Sequence, residues 1–305
     1  MRQMLHVEES RLLMGTVVSI EVVGKGSESQ HHEGIDHAFE AIRFVEEACS
    51  RFDDRSALRE LCRHPGEWVQ VPDVLFEALR IALEVSDLTD GAFDPTIGAT
   101  LARHGFTRHY LTGDVAESTE TDSTVTYRDI SLDQTTRKVL LHKPMLLDLG
   151  AIAKGLAIDV AAGALQGWEG YAINAGGDIY LQGIDPTGNP WTVGIQHPLI
   201  RDERIAWLQA TDLAICTSGS YERRSPLDHT VHHIFNPLGM PSGTPMVSCT
   251  VIAPLAVLAD AVSTAAFLLG SDKALEFVDE AELAGLCIDE QLSISMTQSM
   301  RRYLL

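Results

Sequence analysis

Asp260 and Thr264 stand four residues apart in the stretch ADAVST (residues 259–264), so on a helix they share one face. A carboxylate and a hydroxyl placed that way can ligate a hard, oxygen-preferring cation such as Mg²⁺ and leave positions for water and substrate phosphate. The plainer reading is an aspartate stabilising a helix N-terminus, and this pair alone does not choose between the two. Asp148 and Lys154 bracket a run of small residues (DLGAIAK). Small residues at a helix start leave backbone N–H groups open to phosphate, and Lys154 would add a full positive charge. The spacing fits no standard phosphate loop, and a solvated lysine reads equally well. His232 and His233 open HHIFNP (residues 232–237). In a strand their side chains would point to opposite faces, so at most one serves a given site. Histidine titrates near neutrality, which makes the inward-facing one a natural proton acceptor, although a packed or surface histidine is the commoner case.

Three loops could line a pocket. TDGAFDPTIG (residues 89–98) follows a helix and holds two glycines, a proline and two aspartates. It is either a helix cap and turn anchored by Phe93 or a ligand-lining loop. NAGGD (residues 174–178) joins two expected strands and reads as a hairpin turn at Gly176 and Gly177. TSGSY (residues 217–221) is expected to be a hydroxyl-rich loop after a strand.

The elements that must position these groups follow from periodicity. Residues 15–23 (GTVVSIEVV) are β-branched and partly alternating, which predicts a strand. Ile35, Ala38, Phe39, Ile42, Val45 and Cys49 recur at three- and four-residue spacing and mark the buried face of a helix. Leu75, Leu79, Ala82 and Val85 do the same for a helix over about 73–88. The polar stretch 107–137 suggests a surface excursion or a short hairpin. A strand at 138–142 and a helix at 152–165 come next. Strands are then expected at 171–174, 178–182, 191–195, 205–210, 213–216, 230–235 and 247–253. Helices return at 256–269 and 271–281, the second with Ser271 as its expected N-cap. Adjacent strands with helices before and after them point to an α+β fold in one continuous domain over 1–305, not to a doubly wound parallel sheet.

Composition is that of an ordinary globular chain, with 45% apolar and 22% charged residues in 305. Asp and Glu outnumber Lys and Arg by 43 to 23, for a formal charge of -20. That field disfavours nucleic acid and anionic membrane surfaces, and it obliges any phosphate site to bring its own positive charge. The five cysteines (Cys49, Cys62, Cys216, Cys249, Cys287) form no C-x-x-C pair and suggest neither a disulfide framework nor a zinc site. The first ten residues have no apolar run of signal-peptide length and no lipid-attachment cysteine, and no segment reaches the length of a membrane span. The expected location is cytoplasmic, with no direct membrane insertion.

Taken together and in order, these segments resemble the ApbE-type flavin transferase family, the FAD:protein FMN transferases. The resemblance rests on MGT (14–16), SRFDDRS (50–56), DGAFDP (90–95), 148–159, 174–178, TSG (217–219), HIFNP (233–237) and ADAVST (259–264), and covers about residues 12–270. It implies a single domain of mainly antiparallel sheet with flanking helices. It further implies that FAD, as substrate, is gripped at Met14, Phe52, Ala92, Phe93, Asp94, Asp148, Lys154 and Phe235. Mg²⁺ would be held by Asp260, Thr264 and the main chain near Ala151, and His233 would be the base. The partner would be an acceptor flavoprotein whose Thr or Ser hydroxyl receives FMN, with release of AMP. Three positions depart from the family pattern: Phe52 where tyrosine is common, Asn236 where aspartate usually precedes proline, and Ser220 in place of an acidic residue. The sequence leaves open a pyrophosphatase that hydrolyses FAD to FMN and AMP, and a non-catalytic flavin-binding protein.

Overall fold

The computed structural model describes residues 4–116, 119–221, 224–237 and 246–305. Residues 1–3, and 117–118 of the polar stretch, lie outside that description. The chain opens with β1 (Leu5–Leu13), β2 (Thr16–Gly24), α1 (Glu28–Cys49), α2 (Ala57–Cys62), β3 (Trp68–Gln70), α3 (Asp73–Leu88) and α4 (Gly98–Arg103). Next come β4 (Ile130–Asp133), β5 (Lys138–Leu141), α5 (Ala153–Ala164), β6 (Gly170–Ala175), β7 (Asp178–Gly183), β8 (Trp191–Gln196), β9 (Arg204–Ala210) and β10 (Leu213–Gly219). β11 (Met246–Ala253), α6 (Ala256–Leu269), α7 (Ser271–Glu280), β12 (Ala284–Asp289) and β13 (Ile294–Met296) complete it.

Two compact units divide these elements. The first comprises Met1–Arg43, Lys154–Gly219 and Pro245–Leu305, and the second Phe44–Ala153 and Ser220–Thr244. In the first, eight strands form one sheet in the order β1-β2-β6-β7-β10-β11-β12-β13. Every pairing in it is antiparallel, as the α+β reading requires. Helix α6 packs on β10 and β11, and α7 on β12. The other face is closed by the β8–β9 hairpin, where Trp191, Ile195 and Leu208 meet Val23, Leu181, Ile215, Leu286 and Ile288 in a buried cluster. Val18, Ile20 and Val22 of β2 alternate into the interior, the burial that their β-branched spacing predicts.

The second unit holds a three-stranded sheet in the order β3-β5-β4, and in the same unit the expected stripe of α3, Leu75, Leu79, Ala82 and Val85, is buried. β4 and β5 are the hairpin that ends the polar 107–137 stretch.

Three local expectations are corrected. Residues 217–219 are the end of strand β10, not a loop, because they pair with Ser248, Cys249 and Thr250 of β11. Residues 230–235 form no strand; they contribute a single bridge, Arg224 to His232. Helix α7 is preceded by Gly270 at φ 82, a left-handed conformation suited to glycine, so Ser271 is its first residue and not its cap.

Candidate active site

In the first unit the turns at one end of the sheet bring together residues distant in sequence. Between β1 and β2 the chain reverses in two residues, Met14 at φ 55 and Gly15 at φ 74. Positive φ at both positions is what a tight hairpin needs to match strand twist, and for methionine it carries strain. The β6–β7 turn beside it uses Gly176 at φ 67 and Gly177 at φ 102, closed by the Gly177 N–H donating to Asn174 Oδ1 at 2.8 Å. A Cβ on Gly176 would lie 2.3 Å from Thr16 Oγ1, so the two turns sit side by side only because that residue is glycine.

Asp178 starts β7 just after this turn and is buried. Its carboxylate pairs with Lys154 of α5, and its Oδ1 accepts from the Thr217 N–H at 3.3 Å. Lys154 Nζ also lies 3.4 Å from both carboxylate oxygens of Asp260 on α6. Thr264, one turn along the same face, is buried with its Oγ1 2.7 Å from Ser218 Oγ, which in turn lies 3.1 Å from Ser263 Oγ. Asp260 and Thr264 therefore share one face of α6, as their spacing requires, and strand β10 adds the Ser218 hydroxyl beside them.

The charges in this cluster perturb one another. Burial pushes the Asp260 carboxyl up to about 6; the neighbouring Asp178 charge adds to this, and Lys154 opposes it. Burial disfavours the ammonium of Lys154, but the charges of Asp178 and Asp260 more than offset this and leave its pKa raised. Two buried carboxylates facing one lysine leave a net negative site made wholly of oxygen donors. That donor chemistry suits a hard cation such as Mg²⁺, whose charge would favour the ionised form of Asp260. Among the described residues no three His, Cys, Asp or Glu side chains form a metal-holding group.

The second unit carries the other residues singled out by resemblance. Phe93 and Ala92 are buried, and Asp94 caps a short 3-10 turn (Pro95–Ile97), taking the Thr96 N–H on Oδ1 at 2.8 Å and the Tyr127 N–H on Oδ2 at 2.9 Å. Burial raises its pKa, and those amides act against the shift. Its carboxylate thus holds the 89–98 loop in shape. Asp148 pairs with the buried guanidinium of Arg51, which also lies 4.1 Å over the ring of Phe52. Arg51, which the sequence offers only within the SRFDDRS motif, joins two of the expected flavin-binding positions. Ala151 sits in the turn before α5. Phe235 packs against His104, with ring centroids 4.6 Å apart and the planes tilted by 34°. Of the two adjacent histidines, His232 is buried at 4% exposure, and His233 is half-buried.

Residues that the sequence reading did not single out as site residues include Asp178, Ser218 and Arg51. Asp178 was visible as an acid flanking a glycine turn; its partnership with Lys154 is tertiary and left no local signal.

The antiparallel α+β fold carries, in its first unit, a buried set of oxygen donors around a lysine, a donor chemistry that suits a hard cation. The chain belongs to the ApbE family, whose model matches residues 14–287. It is 28% identical over 286 residues to the FAD:protein FMN transferase of Haemophilus influenzae, covering 89% of this chain and 83% of that protein. It is 29% identical over 293 residues to the FAD:protein FMN transferase of Treponema pallidum, covering 89% and 81%. The crystal structure of the ApbE protein from Thermotoga maritima superposes with a TM-score of 0.85 at 28% identity, over 98% of this chain and 99% of that one. The flavin transferase ApbE from Vibrio cholerae gives 0.81 at 25% identity, over 99% and 100%.

Proposed function

We propose that this protein is a magnesium-dependent FAD:protein FMN transferase, with residues 1–305 acting as one functional domain. The observation that carries the proposal is the buried Asp260 and Thr264 pair on one face of α6, beside Lys154 and Asp178, in a chain whose relatives bear that name. Asp260 and Thr264 would hold Mg²⁺, and the family resemblance adds the main chain of Ala151. A bound Mg²⁺ would neutralise the charge that develops as the FAD pyrophosphate is broken.

The remaining roles fall to the protein's own groups. Lys154, whose charge partly offsets Asp178 and Asp260, helps fix the FAD, while Mg²⁺ brings the further positive charge that its phosphates need. Met14, Phe52, the 92–94 segment, Asp148 and Phe235 grip the flavin nucleotide. His233 accepts the proton of a Thr or Ser hydroxyl on the acceptor flavoprotein. That oxygen bonds to the FMN phosphorus, the bond from phosphorus to the AMP oxygen breaks, and AMP leaves. A cytoplasmic location belongs to this reading, and the scattered cysteines with no C-x-x-C pair are in keeping with it. No helix among the described residues is long and apolar enough to cross a membrane.

The test is transfer of FMN to a candidate acceptor, followed by mass spectrometry, with Asp260→Ala and His233→Ala alongside the wild type. Both variants should lose transfer by a factor of about 100 or more while retaining measurable FAD binding. Wild-type transfer by both variants would sink the mechanism. Rapid, Mg²⁺-dependent release of FMN and AMP without acceptor would make water the physiological nucleophile.

A further inference from the structure

Helix α6, which carries Asp260 and Thr264, begins without a cap of its own. Its N-cap position is Leu255, in extended backbone, whose side chain has no acceptor. The first-turn amides of a helix need partners, and those of α6 find them on α5. Asp159 accepts from the Ala256 N–H on Oδ1 at 2.7 Å and from the Val257 N–H on Oδ2 at 2.9 Å. The contact is returned: Asp260 Oδ2, one turn into α6, accepts from the Gly155 N–H in the first turn of α5 at 3.1 Å. Each helix therefore supplies a carboxylate to the amino end of the other. Their backbones meet so closely that a Cβ on Gly155 would lie 2.4 Å from the Ala256 carbonyl oxygen.

We propose that Asp159 is a positioning residue of the cation site, clamping α6 onto α5 so that Asp260 and Thr264 are held in register with Lys154. The inference rests on the reading that Asp260 and Thr264 bind the metal. A carboxylate that only completed a helix would stabilise α6 wherever it lay. One that spans two helices also fixes where the metal-facing carboxylate stands, and such supporting partners tune metal affinity by about 10- to 100-fold.

Leu255 allows the two roles to be separated, because its side chain is 52% exposed and can be changed without disturbing the interior. Serine there would cap α6 from within its own chain segment and leave the link to α5 broken. The full-length protein is compared as wild type, Asp159→Ala and Asp159→Ala/Leu255→Ser, measuring Mn²⁺ affinity by EPR titration and stability by urea unfolding. The single variant is expected to lose stability and to bind Mn²⁺ at least about 10-fold more weakly. The double variant should recover stability and stay weak for Mn²⁺. Recovery of both properties in the double variant, or wild-type Mn²⁺ affinity in Asp159→Ala, would overturn the proposal. Asp159→Asn, which keeps the shape and one acceptor, should show a smaller loss of affinity and serves if the alanine variant is recovered poorly; unchanged affinity in it together with lost stability would also overturn the clamp. Mn²⁺ binding that survives Asp260→Ala would instead overturn the metal reading, and the clamp with it.

Discussion

Asp260→Asn should make the metal-free protein more stable. The carboxyl is 3% exposed, and its pKa rises in the fold from the ordinary 3.8 to about 6, burial being the largest cause. A raised carboxyl pKa means that the fold prefers the protonated form. The associated stability is present in full below about pH 4, falls as pH climbs toward 6, and is gone above it. A displacement of about two units corresponds to roughly 3 kcal/mol. Asparagine is neutral at every pH, and its amide oxygen can still accept from the Gly155 N–H. Lys154 keeps Asp178 as its partner, so the substitution strands no charge. In EDTA at pH 8 the variant should therefore exceed the wild type by up to about 3 kcal/mol in urea unfolding, and the two should converge near pH 4. Millimolar Mg²⁺ should stabilise the wild type and leave the variant unmoved, since only a ligand that binds the native state shifts the equilibrium. A variant less stable than wild type in EDTA at pH 8, or one with the same pH dependence, would refute the reasoning.

Two further outcomes test other parts of the site. Met14→Gly should relieve the left-handed strain of the β1–β2 turn, worth about 1–2 kcal/mol, against an entropic cost of roughly 0.5–1 for glycine. Thermal unfolding should show little change or a slight gain, while FAD affinity, followed by flavin fluorescence, should fall if the thioether contacts the nucleotide. Arg51→Ala removes the buried partner of half-buried Asp148 and the cation over Phe52, and should cost about 3 kcal/mol in chemical denaturation; a loss below about 1 kcal/mol would mean that the pair is solvated.

Much of this architecture was legible because its pattern is local. The stripes of α1 and α3, the strands from β6 to β11 and the span of α6 all follow from hydrophobic period alone. β1 escaped notice for a physical reason. Its inward positions alternate as they should, but two of them are Glu9 and Arg11, whose charges are satisfied by α1: Glu9 Oε1 lies 2.5 Å from His32 Nδ1, and Arg11 pairs with Asp36 over the ring of Phe39. Polar residues neutralised by a neighbouring helix hide a strand from any rule that looks for apolar ones. The TSG segment misled in the opposite sense. Small hydroxyl residues favour turns, yet Thr217 bonds to Thr250 at 2.8 Å across the sheet and Ser218 reaches α6. Asp260 and Thr264 could be read from spacing because one helix carries both. Asp178 and Asp159 act through partners about 25 to 100 residues away, and no window along the chain contains those pairings.

The strand order of the large sheet also bears on how the chain is made. β2 pairs with β6, where Val18 faces Ala175, so the first hairpin must wait for roughly 150 further residues before its neighbour is synthesised. At about 5–20 residues per second, that is on the order of 10–30 seconds during which β1 and β2 have only α1, the next element in the chain, to pack against, and a two-stranded ribbon is marginal in water. Glu8, Glu9 and Arg11 on β1 would then keep its edge soluble while the nascent chain is incomplete. The charges that obscure this strand in the sequence would be what protects it on the ribosome.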